Sequence, residues 1–578
     1  MTTLEEKRHT LAHLLAAAVL ERYPHAKPTI GPAVDNGFYY DFDFSGGPTP
    51  GEAELAQLTQ AMREMLPSWS DMTGTEVSEA DARARFEGNP FKLELIDGIT
   101  ESGEKITLYT AGGFTDLCRG GHSEHPAHDI AADSFQLDRV AGAYWRGDET
   151  KPMLTRIYGL AFDTKDELDA YLKQREEAQA RDHRKLGKEL DLFTFSPLVG
   201  AGLPLWTPRG TLVRHKLDAF VQELRAKHGY TPVTIPHITK KDLYETSGHW
   251  QKFGDELFRI TTREGKEYAV KPMNCPHHTQ IFDRKPHSYK EMPQRYSETT
   301  MVYRDEQSGE LGGLTRVLSI TQDDSHVFCR QSQVKDEFFK IWDIVDTLYR
   351  TFGFTLKVRL SFHDPKEMEK YLGTEETWQA AEQALREIAE ERKADFFEGI
   401  GEAAMYGPKL DFMATDSMGR QHQVATIQLD MLQPERFDLT CVNEKGEKER
   451  IVMIHCAIMG SIERFSAVLL EHLGGVLPTW LSPVQVRILP VSEKHAAYAQ
   501  TIADQMQAAG IRVELDAEDS LGKRIRATKL QKTPYFIVVG DAEAESGTVT
   551  AENRAGEKNS LPTAAFIEKL STEIATRA

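Results

Sequence analysis

The chain has 578 residues, of which 40% are apolar, five cysteines and a formal net charge of −20 at pH 7. At about 150 residues per domain this predicts roughly four packed domains, and no apolar run reaches membrane-spanning length. The excess of acid argues against a general nucleic-acid binder but leaves room for local basic patches, since phosphate contacts act within about 10 Å at physiological salt.

The cysteines, at 118, 275, 329, 441 and 456, are too scattered for a disulfide framework, which points to a reducing compartment. The opening MTTLEEKRHTLAHLLAAAV carries acids where a signal peptide has bases, and histidines within its apolar face, so a cytosolic location is expected. Residues 7–22 read as an amphipathic helix with His9 and His13 one turn apart. Such a pair alone is more often an ordinary surface feature than a site. A hundred residues on, FTDLCRGGHSEH supplies Asp116, Cys118 and His122, a second polar pair of the same spacing. Residues 163–189 are almost wholly charged; Thr164 with Glu167 predicts a capping box and Gly187 a stop, so the stretch reads as one solvated helical linker.

Residues 206–236 predict a helix, a glycine stop and a strand whose Pro232 and Pro236 place it at a sheet edge. The segment 295–329 reads as an antiparallel hairpin. Its strands alternate over 299–304 and 315–320 around the glycine-rich QSGELGG. Arg304 and Glu306 enter that turn and Arg316 leaves it, and two guanidinium groups facing across a hairpin suit a polyphosphate. Further antiparallel strands are expected at 403–412 and 422–431, then a strand that turns at Gly460 into a helix ending at Gly474. Beyond 484, strand and helix alternate, predicting a parallel or mixed sheet. Lys523, Arg524, Arg526, Lys529 and Lys532 crowd one helix there. A solvated face is the plain reading of that helix, and RNA contact is the functional one. No internal repeat is apparent.

The hairpin with its Arg-x-Glu resembles motif 2 of the class II aminoacyl-tRNA synthetases, and TQDDSHVF with KPMNCP narrows the resemblance to threonyl-tRNA synthetases over almost the whole chain. The resemblance implies a multidomain α+β and α/β protein. Residues 1–162 form an α+β editing domain, 163–189 a linker, 190–478 a class II catalytic domain built on an antiparallel sheet, and 479–578 an α/β anticodon-binding domain. It also implies that the chain begins almost at the editing helix, without a ubiquitin-like N-terminal domain, and that the proline-bearing strand belongs to a homodimer-forming motif 1.

Residue by residue, the same resemblance implies these roles. Arg304 meets ATP's α-phosphate and the threonine carboxylate, Glu306 reads adenine, and Arg316 and Arg464 hold the outer phosphates and the base, with Mg2+ bridging the phosphates. Cys275, His326 and His455 match three zinc ligands, a sound Zn2+ set with open positions for substrate. Gln322, Asp324, Tyr406, Gln423 and Gln428 surround the amino acid and nucleotide. His277, His278 and Cys456 are set aside as ligands, Cys456 because it follows His455 on a strand and faces the other way. His9, His13, Lys92, Asp116, Cys118 and His122 match the editing pocket. Lys523, Arg524, Arg526, Glu545 and Arg554 are the tRNA candidates, with the C-terminal loop thinned to AENRAG.

The selectivity follows from chemistry. A site that demands a hydroxyl rejects valine by about 10⁴-fold or more, whereas serine lacks only a methyl, worth about 1–3 kcal/mol. A second, hydrolytic pocket is then required. The competing possibility is a synthetase-like regulator that binds threonine or RNA without catalysis.

Overall fold

Thr3 opens the first helix. Its hydroxyl accepts from the Glu6 N–H and the Glu6 carboxylate accepts in turn from the Thr3 N–H, so two otherwise orphaned donors are satisfied. The structure is a computed structural model that describes residues 2–577. It divides into two units, one up to Glu177 and one from Ala178.

In the first unit, helix α1 (Leu4–Arg22) is buried at every position from Thr10 to Val19. This corrects the expected amphipathic helix with a polar surface. Leu11, Leu14 and Leu15 share one core with Phe38, Tyr40 and Phe42 of strand β1 (Gly37–Asp43). Helix α2 (Pro90–Glu101) starts on Asn89, which caps the N–H groups of Phe91 and Lys92. Strands β2 (Thr107–Ala111) and β3 (Phe114–Leu117) pair antiparallel, with Tyr109 opposite Asp116. Strands β4 (Phe135–Tyr144) and β5 (Met153–Ala161) complete the larger sheet, in which β5 lies between β1 and β4.

The charged linker is two helices rather than one. Thr164 and Glu167 form the expected reciprocal cap on α3 (Lys165–Ala180). The chain then breaks, and Asp182 caps the Arg184 N–H to start α4 (His183–Glu189). Gly187, expected as a stop, lies inside α4, where a Cβ would come 2.2 Å from the Phe193 ring. That close approach, not a turn, is what asks for glycine.

The second unit is organised on an eight-stranded sheet. Helix α5 (Pro208–Lys227), capped by Thr207, precedes the short edge strand β6 (Thr231–Pro232). Proline cannot donate to a ladder, which fits β6's pairing with one neighbour only. After α6 (Cys275–Asp283) come β7 (Gln294–Tyr303) and β8 (Ser319–Cys329), then helix α7 (Val334–Thr351). Strands β9 (Thr355–Phe362), β10 (Phe396–Ile400), β11 (Lys409–Thr415), β12 (Gln421–Asp430) and β13 (Val452–Ser461) follow, with helix α8 (Ile462–His472) leaving β13. The order across the sheet is β6-β7-β8-β13-β12-β11-β9-β10, antiparallel except at its two edges. Helices α5, α7 and α8 cover one apolar face.

The hairpin differs from its expected form. Its second strand begins at Ser319, so Thr315 to Leu318 belong to the loop, and that loop is tied down. The Leu318 N–H donates to the Gly202 carbonyl, and Leu314 is fully buried. Gly460, at a φ of +72°, turns the end of β13. A register shift there lets the buried carboxylate of Asp323 accept from the N–H groups of Ile458 and Met459. Arg225 of α5 donates to the Asp323 carbonyl at 2.6 Å.

The C-terminal part holds β14 (Val486–Pro490), β15 (Val513–Leu515), helix α9 (Leu521–Leu530), β16 (Tyr535–Val539), β17 (Thr548–Asn553) and β18 (Lys558–Pro562). The order β15-β14-β16-β17-β18 is parallel and then antiparallel, the mixed sheet that the alternation suggested.

Candidate functional site

In the second unit a cavity of about 490 Å³ opens over the sheet. Its walls carry Arg304, Glu306, Arg316, Gln322, Gln423, Gln428 and Arg464. The three arginines come from the end of β7, the hairpin loop and the first turn of α8, so the sequence-distant cations do converge. They differ in state. Arg316 is paired with Glu306 at 2.6 Å and Glu310 at 3.0 Å. Arg304 has no carboxylate partner among the described residues; its buried Nε lacks a hydrogen-bond partner, and its guanidinium lies 5.5 Å from the Phe253 ring centroid. An unpaired cation in a cavity wall is a site held open for an anion. Gln423 is fixed from behind, donating to Asp411 at 3.0 Å and accepting from Arg359 at 2.8 Å.

Next to this cavity lie Cys275, His326 and His455. His326 and His455 are direct cross-strand neighbours on β8 and β13, which turns both imidazoles to one face. Cys275 reaches them from the first turn of α6, and donor atoms of the three residues all lie within 4.8 Å of one another. All three are buried. The His455 Nε2 meets Asp430 at 2.7 Å, so its proton is held on that side and Nδ1 is left as a lone pair. That Nδ1 faces the His326 Nε2 at 3.0 Å. Burial holds the His326 imidazolium well below its ordinary range, so His326 is neutral. Burial also pushes the Cys275 thiol up, a penalty that a bound cation reverses. One thiol and two imidazoles with a carboxylate behind one of them fit a zinc ion, with room for substrate.

Asp324 lies two residues before His326 on the same face, its carboxylate accepting from Asn274 at 3.0 Å. The Tyr406 ring stacks on His455 at 4.6 Å and its hydroxyl donates to Gln428 at 2.5 Å. Gln428 stands directly opposite His455 in the register, joining the donor trio to the cavity wall. The sequence reading did not single out Asp430, Asn274 or the work of His278, whose Nδ1 lies 2.7 Å from the His326 Nδ1. The period-two pattern of HQVATIQLDM carried a signal for Asp430, which shares a strand face with Gln428. Cys456, set aside earlier, does face away, within 2.7 Å of the Ser325 hydroxyl.

In the first unit the two polar pairs meet. The Cys118 Sγ lies 3.4 Å from both the His9 Nε2 and the His122 Nε2. Beneath them is a buried network. The Asp116 carboxylate contacts Lys92 at 2.5 Å and His13 at 3.1 Å, and accepts from the Tyr40 hydroxyl. Burial alone would lower His13, but Asp116 and Cys118 hold its proton and push it up to about 9. Burial would raise the Cys118 thiol, yet the three imidazoles pull it down to about 3. The result is an imidazolium beside a thiolate. The four donors lie within 4.8 Å of one another, and a metal held by all four would have to displace the His13 proton.

The C-terminal candidates separate. Lys523, Arg526 and Glu545 are exposed. Arg524 is buried, donating to the Pro490 carbonyl at 2.9 Å and the Asp516 carbonyl at 2.7 Å. Arg554 donates to the carbonyls of Lys532 and Leu477 at 2.6 Å each and to the Ser482 hydroxyl at 3.1 Å. Arg524 is therefore turned inward rather than set on the surface expected of it, whereas Arg554 is exposed with its guanidinium held by these acceptors. Lys532 likewise donates to the Gly474 carbonyl.

A family profile described as the class II tRNA synthetase core domain (G, H, P, S and T) matches residues 258–473, and one described as an anticodon-binding domain matches 485–573. The threonine–tRNA ligase of Rubrobacter xylanophilus is 46% identical over 99% of this chain and 89% of its own length. That of Gloeobacter violaceus is 46% identical over 99% of this chain and 93% of its own. Among solved structures, the RNA-binding domain of threonyl-tRNA synthetase from Cryptosporidium parvum is 40% identical with a TM-score of 0.64. That likeness covers 68% of this chain and 98% of the other. Nothing among these relatives supports the non-catalytic regulator. Among the described residues no helix is long and apolar enough to cross a membrane.

Proposed function

The chain belongs to the threonine–tRNA ligases, ATP-dependent enzymes of class II, and from that premise we propose how its own residues divide the work. ATP and L-threonine meet in the cavity between β7 and α8, and the acyl group passes to the 3′ end of tRNA(Thr). Arg304 takes the α-phosphate and the threonine carboxylate, where negative charge gathers as the adenylate forms. Arg316 exchanges Glu306 and Glu310 for the outer phosphates, which arrive with Mg2+. Arg464 flanks the base, Glu306 reads adenine, and Gln423 lines the nucleotide side.

Cys275, His326 and His455 hold Zn2+. When bound, zinc supplies a Lewis acid for the amino and hydroxyl groups of the substrate. Asp324, steadied by Asn274, accepts the hydroxyl hydrogen, which valine lacks. Gln322, Tyr406 and Gln428 close around the amino acid. The observation that carries this reading is the buried thiol–imidazole–imidazole trio joined through Gln428 to a cavity of arginines.

Serine passes this filter, so the first unit hydrolyses Ser-tRNA(Thr). His9, His13, Cys118 and His122 fix the 3′ adenosine and a water, while Lys92 and Asp116 set their charges. The division is 1–162 for editing, 163–189 for the linker, 190–478 for activation and 479–578 for the anticodon, with Lys523, Arg526 and Glu545 on the RNA side. The edge strand β6 forms a homodimer contact. Five free cysteines fit the cytoplasm, where its substrates are.

ATP–pyrophosphate exchange tests the reading. Threonine is expected to support it, serine to do so about 10–200-fold less well, and valine about 10⁴-fold less. Equal exchange with threonine and valine would overturn it.

A further inference from the structure

The loop that carries Arg316 is anchored at Leu314 by an imidazole. Leu314 sits in that loop, fully buried, with its side chain in the core beneath the sheet. A buried backbone N–H needs a partner. The Leu314 N–H finds one 3.0 Å away in the Nε2 of His183, the first residue of α4. His183 is itself buried, and its Nδ1 lies 2.7 Å from the Glu471 Oε1, which also accepts from the His183 backbone N–H at 3.1 Å. The carboxylate holds the ring proton on Nδ1. The tautomer is thereby fixed, and Nε2 is the lone pair that the loop requires. The fit leaves no slack, because a Cβ on the neighbouring Gly313, at a φ of +56°, would come 2.4 Å from that nitrogen.

The far end of this contact is informative. Glu471 stands on α8 seven residues after Arg464, two turns along the same helix face. Arg316 follows Leu314 by two residues, and its carbonyl accepts from the Gly312 N–H within the same turn. Two of the three arginines in the cavity wall are therefore referenced to each other through Glu471, His183 and Leu314.

We propose that His183 is a positioning residue for ATP: oriented by Glu471, its imidazole holds the Leu314 N–H and so sets Arg316 of the hairpin loop against Arg464 of α8. This rests on the reading of that cavity as the ATP site. His183 touches no substrate. It acts by keeping a loop cation at a fixed distance from a helix cation, so Arg316 meets the outer phosphates and Arg464 the base of one ATP without a search. Glu471 is shared with Arg420 at 2.7 Å, and Asp182 is engaged with Arg184 at 2.6 Å.

Two substitutions separate the halves of the contact. His183→Gln puts an amide oxygen near the place of Nε2 and keeps an acceptor for Leu314. His183→Asn puts its amide near Nδ1, keeping the Glu471 contact and losing the loop. The Asn variant is expected to raise the KM for ATP in pyrophosphate exchange about tenfold, the scale of one unmade hydrogen bond, with the KM for threonine within about twofold of wild type. The Gln variant is expected to stay within about threefold on both. In the unliganded protein, amide hydrogen exchange at residues 311–318 should speed up in Asn and not in Gln.

Equal loss in both variants, of whatever size, marks a packing role and overturns the proposal. So does an Asn variant with unchanged ATP KM, even if the loop exchanges faster. Wild-type protein that shows no threonine-dependent exchange fails the parent reading instead, and the amide measurement still reports on the contact itself.

Discussion

His455 gives its Nε2 hydrogen to Asp430 across 2.7 Å, and this one bond decides which edge of the imidazole is free to hold a metal. The same carboxylate receives the N–H groups of Leu432 and Gln433 on its other oxygen, at 2.9 and 2.8 Å. Its position is thus set by the backbone after β12, independently of any ion.

The first prediction follows from that geometry. Asp430→Asn preserves one oxygen for the two backbone donors but removes the charge that draws the His455 proton. Zinc affinity measured by chelator competition should fall about 10–100-fold, the usual cost of losing such a partner. Unchanged affinity would show that the orientation of His455 is set elsewhere.

Arg304 and Arg316 should answer differently to truncation. Arg304 has no carboxylate partner among the described residues and is assigned to the charge that develops at the α-phosphate, so Arg304→Ala should slow threonine activation by about a hundredfold or more. Arg316 begins paired with Glu306 and Glu310, and Arg316→Ala should raise the KM for ATP more than it lowers kcat. Steady-state exchange kinetics distinguish the two, and a reversed pattern would exchange the assigned roles.

Cys118 is expected to behave as a thiolate far below ordinary thiol pH. Burial raises its pKa, but the surrounding imidazoles win and bring it down to about 3. Above that value the thiolate fraction is already complete, so alkylation by iodoacetamide should be nearly flat from pH 5 to 8. An ordinary thiol, titrating near 8.5, would gain about tenfold per pH unit there. The other four cysteines are buried, which leaves the label to Cys118. The pocket's function is read separately: wild type should deacylate Ser-tRNA(Thr) and the His9→Ala/His13→Ala variant should not. Wild-type hydrolysis no faster than in buffer would remove the editing assignment.

Much of this site was legible in the sequence, and the reasons for the rest are physical. The capping box of Thr164 and Glu167 is local, so four residues sufficed to read it. Of the two prolines expected in the edge strand, Pro232 lies in β6, where its missing N–H is visible in one letter, and Pro236 falls beyond it. Cys275, His326 and His455 lie 51 and 129 residues apart; spacing says nothing of them, and only resemblance brought them forward. The hairpin was misjudged at 315–318, where Gly202 and His183, both remote in sequence, pull the chain out of the ladder. Helix α1 was misjudged because burial on all sides depends on neighbours from several distant segments. Charge clustering overstated the RNA surface for the same reason, since nothing local says that Arg524 turns inward.

That last point is testable. Lys523→Glu or Arg526→Glu should weaken binding to tRNAs generally and lower the slope of log affinity against log salt by about one. Arg524→Ala and Arg554→Ala should instead lower the melting temperature, since each strands backbone acceptors. A salt slope that moves with Arg524 and not with Lys523 would return the buried arginine to the RNA surface.

The most direct test of the whole account is the metal content of the purified protein taken together with its threonine-dependent ATP–pyrophosphate exchange, before and after chelation. The account expects one zinc per chain, bound through Cys275, His326 and His455 and lost in Cys275→Ala. Exchange should disappear when the metal is stripped and return when zinc is restored. Protein that is free of zinc and still exchanges with threonine at an undiminished rate would contradict it.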